Sequence, residues 1–137
     1  MSSYGECILF LLAKAHQKVY GNFKKRLQSY GITPVQHLVI FALNEEEGVS
    51  AGELGKRLTL DNATLSGVLD RLAEGGWVIK SHSDEDKRSL KVYLTPKAKE
   101  RIQELTREAD EADNEVLEGF SREERVLLKR LLRDMQY

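Results

Sequence analysis

Cysteine and proline are scarce in this sequence of 137 residues, and long hydrophobic runs are lacking. Its single cysteine, Cys7, excludes a disulfide bond within the chain and fits a reducing cytoplasm. The uniformly apolar stretch near the N-terminus, residues 8–13, is too short to span a membrane, and the sequence before it lacks the basic start of a signal peptide. We therefore expect a cytoplasmic protein that makes no contact with a membrane.

An excess of positive charge is also lacking. The net charge is −1, which by itself argues against a nucleic-acid partner. The distribution is uneven, because residues 100–124 contain ten acidic residues and three arginines, a balance of −7 that leaves +6 for the rest of the chain. Residues 50–94 contain seven basic and seven acidic residues. Binding to DNA would therefore depend on where individual basic side chains point.

Signatures of catalysis and of metal binding are missing from the sequence. It contains no glycine-rich phosphate loop, no nucleophile elbow and no paired catalytic carboxylates, so we do not expect an enzyme. Cys7, His16 and His37 provide no pair of ligands at metal-binding spacing. We predict neither a metal site nor a cofactor.

The sequence does contain a series of helix signals. An apolar stripe with a spacing of three to four residues predicts a first helix over residues 3–29. Capping residues predict the starts of the later helices at Thr33, Ser50, Asp61, Thr95 and Ser121. The first helix and the last two carry more apolar surface than one compact domain of this size would cover. This excess predicts a homodimer in which the end helices of two chains pack together.

The stretch from Asp61 to Thr95 organises the rest of the chain. Its helix has one apolar face, formed by Leu65, Val68, Leu69 and Leu72, and one face of short polar side chains suited to approach the major groove. Gly75 and Gly76 end that helix, and two β-rich segments, residues 77–80 and 90–94, enclose a charged loop. A short helix, a turn, a second helix and a hairpin are typical of a winged helix-turn-helix.

The motifs of this region resemble the MarR (multiple antibiotic resistance regulator) family. The motifs are Asp70-Arg71-Leu72-x-x-x-Gly76, Asp86-x-Arg88-Ser89 and Val92-x-Leu94-Thr95-Pro96. The resemblance implies a mainly α fold with a small β-hairpin wing, in which residues 33–96 form the DNA-binding winged helix and about 1–32 and 97–137 form the dimerisation helices. It also implies a homodimeric regulator, a repressor more often than an activator, that binds a pseudo-palindromic operator in double-stranded DNA and responds to a small molecule.

The predicted DNA contacts lie on the second helix of the motif and on the wing. They are Ser50, Asn62, Ala63, Thr64, Ser66, Gly67, Arg71, Asp86, Lys87, Arg88 and Ser89. Asparagine suits adenine, serine and threonine are permissive, and arginine favours a narrow minor groove. Lys80, Lys87 and Lys91 are candidate phosphate contacts.

Several of these residues have a second interpretation. Arg88 either enters the minor groove, held by Asp86, or forms an exposed ion pair that contributes little. Arg71 either contacts a phosphate or pairs with Asp70 or the wing. Relatives often carry a larger side chain at the place of Gly67, so either the backbone approaches DNA closely there or one base contact is missing.

The residues of an effector pocket are expected between the first helix, the second helix and the winged helix. The candidates are His16, Tyr20, Phe23, Tyr30, His37 and Phe41, which would suit an aromatic ligand but equally suit ordinary core packing.

Two rival interpretations remain at the level of the sequence. Cys7 resembles the peroxide-sensing cysteine of some relatives, yet it is out of register and Phe23 and Pro34 replace the tyrosine partners, so a buried or dimer-facing thiol is favoured. A winged helix used for protein–protein assembly, without DNA, is the rival function. It predicts no salt-dependent binding to DNA.

Overall fold

The computed structural model describes residues 3–82 and 90–136. The elements in chain order are α1 (Ile8–Leu27), α2 (Pro34–Glu45), α3 (Ala51–Leu58), α4 (Asn62–Glu74), β1 (Val78–His82), β2 (Leu90–Leu94), α5 (Pro96–Val116) and α6 (Arg122–Asp134). This confirms the predicted mainly helical fold with a two-stranded wing. The predicted first helix, residues 3–29, is too long: extended backbone at Cys7 separates a 3-10 turn (Tyr4–Glu6) from α1, and a second 3-10 turn (Gln28–Tyr30) follows it.

The side chains predicted as helix caps hold the starts of the later helices. Thr33 accepts a hydrogen bond from the backbone N–H of Gln36 at 3.2 Å, and the Gln36 side chain accepts one from the Thr33 N–H at 2.8 Å. Ser121 makes the same reciprocal arrangement at the start of α6. Ser50 caps α3 by accepting from the Glu53 N–H, and the Glu53 carboxylate lies 3.5 Å from Arg57.

The two strands pair in antiparallel register, with Val78 opposite Leu94 and Lys80 opposite Val92. Residues before α3 add to the other edge of β2, a feature that the sequence did not predict. The Gly48 N–H donates to the Val92 carbonyl at 3.0 Å, and the Val92 N–H donates to the Val49 carbonyl at 3.3 Å. The base of the wing is therefore joined to the start of α3.

The hydrophobic core lies beneath α4, where α2, α3, the hairpin and the middle of α5 meet. Its fully buried side chains include Ile40, Leu43, Leu54, Leu69, Leu72, Val92 and Leu105. Burial of each such side chain contributes about 1.5–3 kcal/mol. This core fixes which face of α4 is turned to solvent.

Polar bonds hold α1 against α5. The Asn22 side chain donates to the Ala112 carbonyl at 3.0 Å. The Arg26 guanidinium binds Glu108 at 3.0 Å and Glu111 at 2.7 Å, and it also pairs with Glu115. One arginine thus joins three carboxylates of α5 to α1 and offsets one of their negative charges.

The two ends of the chain leave apolar side chains uncovered. Before and within the first half of α1 these are Tyr4, Ile8, Leu9, Leu11 and Leu12; near and within α6 they are Phe120, Val126, Leu127, Leu131, Leu132 and Met135. No residue of α6 is buried in the described part of the chain. Cys7 is exposed, so the interpretation as a thiol buried within one chain is wrong, and a dimer-facing thiol stays a prediction.

Among the helices of residues 3–82 and 90–136, none has the length and apolar character needed to cross a membrane.

Candidate nucleic-acid interface

The outer face of α4 is polar and exposed, as the sequence predicts. Asn62, Ala63, Thr64 and Ser66 are all open to solvent. Leu65, Val68, Leu69 and Leu72 form the inner face and are buried. Because one face is packed in the core, α4 presents its polar face as a fixed surface.

The first turn of α4 is fixed by Asp61. Its Oδ1 accepts a hydrogen bond from the Thr64 backbone N–H at 2.7 Å, and its Oδ2 accepts one from the Thr64 hydroxyl at 3.0 Å. The hydrogen bond from the Thr64 backbone is the main reason why the pKa of the Asp61 carboxyl lies below its usual value, and the bond from the Thr64 hydroxyl lowers that pKa further. Since the Thr64 proton is directed at Asp61, the hydroxyl offers its lone pairs and its methyl group to a base edge.

Gly67 occupies an open position on this face. A Cβ placed there would meet no atom within 4 Å among the described residues, so the chain itself would accept a side chain. Alanine is the better helix former by about 1 kcal/mol. The space above Gly67 is therefore available to an approaching surface.

The charged side chains at the end of α4 separate into two groups. Asp70 pairs with Lys80 of β1. The alternative in which Arg71 pairs with Asp70 is therefore wrong. The Arg71 side chain is exposed and makes no ion pair within residues 3–82 and 90–136. Arg71 thus remains available for a phosphate, whereas the Lys80 charge is already balanced by Asp70.

Ser50 lies where α3 begins, beside β2. Its hydroxyl accepts a hydrogen bond from the Glu53 N–H at 3.1 Å, and its backbone bridges to Lys91. The hydroxyl proton remains to be donated to another acceptor. The four predicted wing contacts, Asp86, Lys87, Arg88 and Ser89, lie outside the described residues.

The six candidate pocket residues do not form one site. Phe23, His37 and Phe41 pack together, with ring centroids 5.9 Å apart for Phe23 and His37 and 4.0 Å apart for His37 and Phe41. Tyr30 lies under Arg101, 4.9 Å from ring centroid to guanidinium carbon. His16 and Tyr20 form a separate pair on the exposed side of α1, with centroids 5.8 Å apart.

His37 is the polar member of the buried aromatic group. It is 2% exposed, and burial lowers the pKa of its imidazole to about 4. Its Nδ1 has no hydrogen-bond partner among the described residues. A neutral imidazole is therefore held in an apolar environment at neutral pH.

An open cleft of about 440 Å³ lies where the end of α1 meets the start of α2. Its lining residues are Tyr20, Gly21, Lys24, Lys25, Gln28, Gly31, Ile32 and Thr33. Tyr20 is the member of the predicted set that lines it. Lys24 and Lys25 also line it and were not among the predicted pocket residues, because helical periodicity places them only near the end of the first helix.

Metal-ligating side chains do not gather in the part of the chain that the structure describes, where no group of three or more could hold an ion.

Comparison with known proteins places this geometry in a family. Residues 30–89 match the MarR family. Among curated proteins, the regulator SarZ of Staphylococcus epidermidis is 29% identical over 94 residues, covering 69% of this chain and 62% of SarZ. The chain thus spans less than two thirds of the length of the curated relatives that it matches first.

Solved structures match over almost the whole chain. BpsR of Bordetella bronchiseptica, whose DNA binding is regulated by 6-hydroxynicotinic acid, has a TM-score of 0.91 and 28% identity, with 99% of this chain and 97% of that chain covered. A cysteine-to-serine mutant of MarR from E. coli, complexed with operator DNA, has a TM-score of 0.86 and 25% identity, with 98% and 99% covered. The matched segment, the curated relatives and the shared fold agree that this chain is similar to regulators of the MarR family.

Proposed function

We propose that this chain is a cytoplasmic, homodimeric, sequence-specific DNA-binding regulator of transcription that acts as a repressor. The observation that carries the proposal is the exposed polar face of α4, which is fixed on its other side by a buried core. The first residues of such a helix are those that reach base edges in the major groove. Asn62, Thr64 and Ser66 are the base-reading candidates, and Ser50 and Arg71 are the phosphate-contact candidates.

The wing supplies the second set of contacts in this proposal. Lys87 and Arg88 lie between β1 and β2 in the sequence. Arginine is attracted by the negative potential of a narrow minor groove. Arg88 is therefore the wing residue to which we assign the largest contribution, with Asp86 as its partner.

The exposed apolar side chains at both ends of the chain support the homodimer. Apolar patches of this extent on a single chain mark an interaction surface, and a second copy of the chain is the simplest partner. A dimer would place two α4 helices in successive major grooves, with half-sites about one helical turn apart.

We also propose that a small molecule regulates binding. The cleft beside Tyr20 supports this, because it combines an aromatic ring with the positive charges of Lys24 and Lys25. An aromatic acid fits that chemistry, and 6-hydroxynicotinic acid is a suitable first probe. Such a ligand shifts DNA affinity only if it binds one arrangement of the two winged helices more tightly than the other.

The test is fluorescence anisotropy with a labelled duplex from the region upstream of the protein's own gene. We expect tighter binding to this duplex than to a shuffled one, and affinity that falls steeply as salt rises. Arg88→Ala should weaken binding by about tenfold or more, whereas Arg107→Ala, an exposed arginine of α5, should leave it unchanged.

Two results would overturn parts of this proposal. Equal, salt-independent affinity for both duplexes would favour the winged helix as a protein-assembly module. Full affinity of the Arg88→Ala variant would remove the wing assignment while leaving α4 as the reader.

A further inference from the structure

The junction between the winged helix and the end helices is centred on Trp77, the only tryptophan of the chain. Trp77 follows the Gly75–Gly76 pair that ends α4, and it is 4% exposed. Its backbone N–H donates to the Leu72 carbonyl at 2.9 Å. The indole is thus tied to the last turn of α4, so a displaced indole reports a displaced α4.

Two cations of α5 lie over this indole. The Lys97 Nζ is 5.3 Å from the ring centroid and donates to the Gly75 carbonyl at 2.9 Å. The Arg101 guanidinium carbon lies 6.0 Å from the Trp77 centroid and 4.9 Å from the Tyr30 centroid. Both rings attract the cation through their electron-rich faces. Arg101 is therefore shared between the end of α4 and the turn after α1.

The backbone bonds at the start of α5 do not by themselves fix its direction. The Thr95 hydroxyl donates to the Gly76 carbonyl at 2.6 Å, and the Thr95 N–H donates to the Trp77 carbonyl at 3.0 Å. These bonds meet at one end of α5, and the buried side chains of Ala98 and Leu105 hold the same helix against the core. Arg101 lies about 9 Å further along the helix, at 1.5 Å per residue, and attaches it to Trp77 at a second point.

Glu104 restrains Arg101 from the side of the solvent. Its Oε2 accepts from the Arg101 Nε at 3.3 Å and from Nη2 at 3.2 Å. An exposed ion pair one turn apart contributes little stability. Its effect here is to select the side-chain conformation that keeps the guanidinium between the two rings.

From these contacts we infer that Arg101 is a positioning residue, whose guanidinium between Tyr30 and Trp77 sets the orientation of α4 relative to α1 and α5. The inference rests on the proposed function only for its consequence, which is that this orientation determines which half-site spacing the dimer accepts. Loss of the cation would let α4 move. The affinity for operators of altered spacing would then come closer to the affinity for the preferred operator.

The orientation itself is tested without DNA. Nitroxide labels at Ser66→Cys and Gln103→Cys, in a Cys7→Ser background diluted with excess unlabelled chain, report the distance between α4 and α5 by pulsed electron paramagnetic resonance. We expect Arg101→Met and Arg101→Gln to broaden or shift the distance distribution and Arg101→Lys to restore most of it. Arg107→Met, which removes the same charge from α5, should leave the distribution and the Trp77 emission maximum unchanged.

The functional consequence is tested with operators whose half-sites are moved apart by a single base pair. We expect Arg101→Met to reduce the preference for the original spacing by about threefold to tenfold, with the chain still folded and its dimer content unchanged. An unchanged distance distribution in both Arg101→Met and Arg101→Gln overturns the inference, even if DNA binding is normal. Failure of the wild-type chain to bind any duplex would instead count against the proposed function, because the distance measurement does not depend on it.

Discussion

Helix α4 of the winged helix and the last helix, α6, differ in how their apolar faces are covered. α4 buries four apolar side chains against its own chain, whereas α6 buries none in the described residues. Both helices have 13 residues and a clear apolar face. The difference indicates that the winged helix completes its core within one chain, while α6 and the start of α1 have apolar faces that only another surface would cover.

This contrast separates stability from assembly. A substitution on the inner face of α4 acts on the folding of a single chain. In the proposed dimer, a substitution on the apolar face of α6 should act on association and therefore on any function that needs two winged helices at a fixed distance.

The largest expected effect lies in the core of the winged helix. Leu69→Ala removes a fully buried side chain from α4 and should lower the free energy of unfolding by about 2–5 kcal/mol, measured by urea denaturation. Ser66→Ala, on the exposed face of the same helix, should change it by less than about 0.5 kcal/mol. Similar losses for both variants would mean that the inner face of α4 is not the packed one.

The next effect concerns the other side of the division. Leu131→Asp places a charge on the apolar face of α6 and should convert the proposed dimer to monomer in sedimentation experiments. Because two linked binding sites gain about a hundredfold or more in affinity, operator affinity should fall by at least that factor. Arg133→Asp, an equally exposed change on the same helix, should preserve the dimer. A dimeric Leu131→Asp protein would exclude α6 from the interface.

A third effect is a pH dependence within the chain. His37 has a folded pKa of about 4, below the unfolded value of 6.5, so the unfolded state binds the proton first as the pH falls. Stability is therefore full above about pH 6.5 and is lost toward pH 4, with a loss of about 2 kcal/mol near pH 5. His37→Leu should flatten this part of the profile in urea titrations, whereas the exposed His16→Leu should not.

The smallest effect sharpens the description of the reading face. Gly67→Ala should stabilise the chain by up to about 1 kcal/mol, because the position is helical and open. Its effect on operator affinity decides between the two interpretations of Gly67: a loss indicates close approach of the backbone to DNA, and unchanged affinity indicates a missing contact. Gly52→Ala, at the exposed start of α3, is the matched control, and destabilisation by Gly67→Ala would contradict the open geometry.

Local features of this fold were predictable from the sequence, and contacts between distant segments were not. The caps at Thr33, Asp61 and Ser121 depend on residues three positions apart, so the spacing alone reveals them. The pairing of Asp70 with Lys80 and of Arg26 with three carboxylates of α5 depends on how helices meet. The spacing of residues along the sequence does not show which helices and strands pack against each other.

The candidate ligand site shows the same limit. The sequence predicts one pocket lined by six residues, yet His37 packs against Phe23 and Phe41 while Tyr20 lines a cleft elsewhere. Helical periodicity gives the direction of a side chain about its own axis. It does not say whether the space in that direction is filled, and this is what separates a core residue from a pocket residue.

The bonds between residues 48–50 and β2 have a consequence for protein engineering. The wing could be exchanged with that of a relative in order to change the preferred operator. If only residues 78–94 were moved, the exchange would break the pairing of β2 with residues 48–50. Val92 exchanges hydrogen bonds with Gly48 and Val49, so a graft should include both segments. The natural unit for recombination in this chain is therefore discontinuous in sequence.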